Sequence, residues 1–162
     1  LSERHDGKHL MQIARASCSV PYVCPMTKLD ESLYLDGGIS DSIPISHVIE
    51  RGYEKNIVIL TREKGYQKPV TRKPQRLNRM LYKNYPELVK QLESRNQRYN
   101  ETIKYLEKLE QEQKVLLIRP HKVLVSRADN NTKRMEAFYR QGYAIADKKL
   151  SQIRDFICSG KE

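Results

Sequence analysis

The run Asn56-Ile57-Val58-Ile59-Leu60 constrains this chain more than any other feature. It is continuous, largely β-branched and without apolar–polar alternation, so it reads as a strand covered on both faces. A strand of that kind lies inside a sheet and needs hydrogen-bonding neighbours along both edges. Upstream of it there is only one other compact strand signal, Ser32 to Leu35. Further strands are therefore expected from preceding polypeptide or from a second copy, and the isolated chain is expected to self-associate. The chain opens at Leu1 and not at Met, which also predicts preceding sequence.

The remaining elements follow from periodicity and punctuation. Leu10, Ile13 and Ala14 recur at helical spacing over Lys8 to Ala16, and Pro21 and Pro25 prevent continuation. Asp36-Gly37-Gly38 marks a chain reversal, with two glycines free to take positive φ beside a carboxylate. Pro44 suits the first turn of a helix carrying Ile45, Val48 and Ile49, and Gly52 stands where a C′ residue should. A short helix is predicted near Leu77 to Tyr82. A long one starts at Pro86, with a narrow apolar stripe through Leu88, Leu92, Tyr99, Ile103 and Leu106 that Arg95 or Asn96 interrupts. Val115 to Ile118 and Val123 to Val125 read as a short strand pair around Pro120. A helix entered at Asn130-Asn131-Thr132 is predicted to close at Gly142. A last helix then runs from Tyr143 to Ile157 and buries Ala144, Ala146, Leu150, Ile153 and Ile157.

Charge is distributed unevenly. Residues 1 to 60 hold 6 basic and 8 acidic side chains, whereas the rest hold 24 and 12, so the formal net charge of +10 belongs to the second part. The densest run, Arg62 to Lys83, sets eight basic residues against the single acid Glu63. Within it Lys68, Arg72, Lys73 and Arg76 are candidates for contact with an anionic surface. The ten tyrosines are scattered and form no stacking platform, so nucleic acid is not an expected partner. Cys18, Cys24 and Cys158 have no metal or disulfide spacing and read as buried or idle thiols. His5, His9, His47 and His121 lack zinc spacing, and no metal or organic cofactor is implied. No apolar run reaches the roughly 20 residues that span a bilayer, and the start carries no signal-peptide pattern. A cytoplasmic or peripheral membrane location is expected.

One set of words carries chemistry. Ala14-Arg15-Ala16-Ser17-Cys18-Ser19-Val20-Pro21, then Pro25, then Tyr34-Leu35-Asp36-Gly37-Gly38-Ile39-Ser40-Asp41-Ser42-Ile43-Pro44-Ile45, then the strand to Leu60, resembles the second half of the patatin-like phospholipase catalytic domain. Leu117-Ile118-Arg119-Pro120 and the Tyr139 to Tyr143 segment are similar to the C-terminal extension of bacterial members. The resemblance implies an α/β fold, with the C-terminal half of a three-layer α/β sheet over residues 1–62; charge and periodicity add a basic linker over 63–84 and a mainly helical extension with a short strand pair over 85–162, of which residues 64–112 match no motif of the family. The resemblance implies a serine lipid acyl hydrolase that works through a Ser–Asp dyad. Asp36 takes the aspartate position, and Gly37 and Gly38 complete the motif.

That family places its serine in a Gly-x-Ser-x-Gly elbow and its oxyanion donors in a glycine-rich loop. The glycines here, at 7, 37, 38, 52, 65, 142 and 160, bracket no serine at that spacing. The nucleophile is therefore expected from upstream sequence, and the chain by itself is expected to be inactive. Ser17 and Ser19 read as structural. The substrate implied is a lipid or acyl ester. The alternative reading is a non-catalytic basic module that binds an anionic membrane surface or a protein partner.

Overall fold

A computed structural model of the protein describes residues 7–70, 76–126 and 128–158. Along the chain run α1 (Gly7–Ser17), β1 (Thr27–Leu29), β2 (Ser32–Tyr34), a 3-10 turn (Gly37–Ile39), α2 (Ile45–Glu50), β3 (Asn56–Ile59), α3 (Arg76–Leu81), α4 (Pro86–Gln111), β4 (Val115–Ile118), α5 (Thr132–Lys148) and α6 (Leu150–Cys158). This is a mixed α/β chain in which helix dominates and the sheets are small. It divides into two compact units, Leu1–Pro44 with Val70–Tyr99 and Ile45–Pro69 with Asn100–Glu162.

In the first unit α1 ends where predicted, and Ser19 closes it by donating from its hydroxyl to the Arg15 carbonyl at 2.9 Å. β1 and β2 form an antiparallel hairpin with Lys28 opposite Leu33, turned through Asp30 at φ 51°. An aspartate tolerates that left-handed conformation better than most residues. The β1 strand is too short and too polar at Lys28 to have been legible as a period. Ala16, Ile39, Val89 and Tyr99 are buried in this unit.

The second unit is built on β3 and β4, which pair in parallel with Asn56 opposite Val115 and Ile59 opposite Ile118. This corrects the expected strand pair within the extension: Val123 to Val125 forms no strand, and β4 turns to β3 instead. Parallel strands need a long crossover, and residues 60 to 114 supply one. The segment after Pro120 is satisfied differently, because the amides of His121 and Lys122 donate to Gln141 Oε1 at 2.9 and 3.3 Å.

β3 is not covered on both faces, although its apolar run predicts that it is. β4 is buried along its whole length, whereas β3 alternates and leaves Ile57 39 % and Ile59 74 % exposed. Among the described residues β3 has one hydrogen-bonded neighbour, so one of its edges is unpaired, and its exposed side chains stand on one face. The core gathers Ile45, Leu60, Ile103, Leu106, Leu109, Ile145 and all of β4.

Gly52 takes the predicted C′ role at φ 88°, with its amide on the Ile49 carbonyl at 2.8 Å. Gly142 does not close a helix. It has an ordinary helical φ with open space around it, so α5 runs through to Lys148, and the break falls at Lys149. There the Lys149 ammonium donates to the Leu117 carbonyl at 3.0 Å. The shift re-phases the buried face: Ile145 is buried, while Ala144, Leu150 and Ile157 are exposed. The Asn131 cap is as predicted, its side chain accepting from the Arg134 amide at 3.1 Å. No helix of the described residues is long and apolar enough to cross a membrane.

Candidate active site

Asp36 follows β2 by two residues and caps the 3-10 turn. Its amide donates to the Ser19 carbonyl at 2.9 Å, and its carbonyl accepts from Ile39 at 3.1 Å. Its carboxylate oxygen Oδ1 accepts from the Gly38 amide at 2.8 Å, the bond of an N-capping aspartate. Oδ2 takes no hydrogen bond from the described residues, and the side chain is half-buried. The backbone thus fixes the carboxylate through one oxygen and leaves the other open.

The glycines serve this arrangement in an unforeseen way. Neither Gly37 nor Gly38 has a positive φ. Gly38 is required by close approach, since a Cβ there would lie 2.9 Å from Asp36 Oδ1 and 3.5 Å from an Arg95 guanidinium nitrogen. A side chain at 38 would push the carboxylate off its amide.

Two arginines of α4 hold the turn from its other end. Arg95 Nε donates to the Gly38 carbonyl at 2.8 Å, and Arg98 donates to the Ile39 carbonyl at 2.7 Å and to the Gln91 carbonyl at 3.0 Å. Cations on the open carbonyls of a helical turn are favourable, and charge-assisted bonds are the stronger kind. These residues were not identified as part of the site from the sequence. Their trace was the arginine that interrupts the apolar stripe of α4 near residue 95.

Ser19 is buried, and its hydroxyl lies 2.7 Å from the Thr27 hydroxyl as well as bonding to Arg15. It ties α1 to the hairpin, while its carbonyl holds Asp36. Beside this framework, Tyr22, Val23, Cys24, Pro25, Met26, Leu81 and Tyr82 line an open cleft of about 340 Å³. Tyr22 bonds through its hydroxyl to Asn78 and through its amide to the Tyr82 hydroxyl. Burial raises the Tyr22 phenol above its ordinary range and Tyr82 adds to that, while Arg95 opposes both.

Arg72 and Lys73 lie outside the described residues. Lys68 belongs to the second unit, where its backbone is clasped by Asn100 through bonds of 2.8 and 2.9 Å. Arg76 starts α3 in the first unit and is exposed. Cys18, Cys24 and Cys158 are free and exposed, not buried.

Residues 2–49 match the family model of patatin-like phospholipases, and residues 85–157 match a domain of unknown function, DUF6363. The first match encloses α1, the hairpin, the Asp36 turn and most of α2. That segment is similar to a phospholipase family. No curated protein and no solved structure matches the chain.

Proposed function

We propose that this chain contributes the aspartate half of a serine–aspartate lipid acyl hydrolase, with Asp36 as the general base. The observation that carries the reading is the coincidence of the family match at 2–49 with a carboxylate anchored through Oδ1 and open at Oδ2. A base must come within hydrogen-bond reach of the hydroxyl it deprotonates, and a carboxylate with one oxygen already fixed meets that demand with little freedom to lose. The chain holds no Gly-x-Ser-x-Gly, so the serine is assigned to upstream polypeptide. Residues 1–62 are read as part of the family's three-layer α/β domain, 63–84 as a linker and 85–162 as its extension. Among the described residues β3 pairs along one edge only, which leaves the other edge for a further strand of such a sheet.

Hydrolysis of a short chromogenic acyl ester tests the assignment. The 162-residue chain by itself should give no turnover above buffer, and a polypeptide that adds the upstream coding sequence should turn the ester over. Turnover by the short chain would place the nucleophile among its own residues and overturn the division of the site.

A further inference from the structure

The helix α3 is amphipathic in the wrong sense for a helix that meets only water. Its inward position is taken by Asn78, which is 1 % exposed and bonded to Tyr22, while Leu77, Met80 and Leu81 are 54 %, 68 % and 51 % exposed. Leu77 lies three and four residues before Met80 and Leu81, so the three share one face. Val23, 80 % exposed, stands at the same edge, lining the cleft with Leu81. A contiguous apolar patch marks a surface that something else covers.

The charge around the patch identifies the cover. Residues 76 to 85 carry Arg76, Arg79 and Lys83 and no acid. Arg79 leans on Glu93 at 3.5 Å and is still mostly exposed, so the patch keeps a positive rim. Protruding aliphatic side chains rimmed by long cationic ones suit the boundary between lipid headgroups and acyl chains: the first enter the apolar layer, and the second stay with the phosphates. We infer that the outward face of α3, together with Val23, docks the protein on an anionic lipid surface. The choice of lipid over an acidic protein rests on the lipid-hydrolase reading. The face belongs to the same compact unit as Asp36, so docking would bring the candidate base to the substrate layer.

Sedimentation with vesicles of phosphatidylglycerol and phosphatidylcholine tests this, using the 162-residue chain and three variants of exposed positions. The wild type should bind, and Leu77→Ser/Met80→Ser should bind at least about tenfold more weakly at both low and high salt, because two apolar side chains no longer enter the layer. Val23→Ser should fall in the same direction with α3 untouched. Arg76→Gln/Arg79→Gln/Lys83→Gln should lose affinity at low salt and converge on the wild type at high salt, where attraction is screened. Absence of wild-type binding, or serine variants that bind as the wild type does, would overturn the proposal. So would a wild-type dimer that Leu77→Ser/Met80→Ser converts to a monomer, since a second copy would then be the cover. Asp36→Asn should bind vesicles as the wild type does, so a failure here leaves the assignment of Asp36 standing.

Discussion

Asp36→Asn, in a polypeptide that also supplies the serine, is expected to lower ester hydrolysis by about 10²- to 10⁴-fold, the usual contribution of a positioned general base. The fold should survive the change. Asparagine keeps a side-chain oxygen at the place where Asp36 Oδ1 accepts from the Gly38 amide, and the contacts of Ser19 and Ile39 are to the backbone of residue 36. What is lost is the basicity of the carboxylate and nothing else in the turn. Asp36→Ala removes the cap as well and should cost about 1 kcal/mol of stability in addition. Steady-state hydrolysis and thermal unfolding of the two variants separate these effects. An Asn variant with activity near the wild type would remove Asp36 from the chemistry.

The largest effect on stability is expected at Leu106, which is 0 % exposed and lies in the core of the second unit with Ile103, Leu109 and the whole of β4. Leu106→Ala leaves a cavity among neighbours that are themselves fixed. α4 is tied to β4 by the Leu117 amide on Glu110 at 3.3 Å and by the Arg119–Glu107 ion pair at 3.2 Å. Such a site collapses poorly, and the expected loss is about 2–5 kcal/mol in urea unfolding. That is a large part of the roughly 5–15 kcal/mol that holds a domain together. The same substitution at Leu10, 59 % exposed, should cost under about 0.5 kcal/mol. Equal losses at the two positions would contradict the placement of the core.

Elements governed by neighbouring residues were legible in the sequence. Pro86 starts α4, Asn131 caps α5, and Gly52 ends α2 because each acts through its own backbone or the next turn. Asp36 was legible as a carboxylate at a reversal. What escaped was non-local. The register that gives β4 to β3 is chosen across 55 residues of intervening chain, and no local signal distinguishes it from a pair around Pro120. Arg95 and Arg98 reach carbonyls 57 and 59 residues away, and in the sequence they are only polar breaks in a stripe. Gly142 carried a helix-stop signal that its surroundings override, because nothing there asks for a positive φ. α3 is legible as a short helix within a basic run. Its inverted faces emerge only when Asn78 is found facing Tyr22.

If the Asp36 carboxylate is the base of a serine hydrolase, its nucleophile is a serine outside these 162 residues. Labelling with a fluorophosphonate ester tests it most directly, applied to a polypeptide that includes the upstream coding sequence, with the modified residue mapped by mass spectrometry. One labelled serine is expected, upstream of this chain, modified much more slowly in the Asp36→Asn variant. A label on Ser17, Ser19, Ser40 or Ser42, or an upstream label formed equally fast without the Asp36 carboxylate, would contradict it.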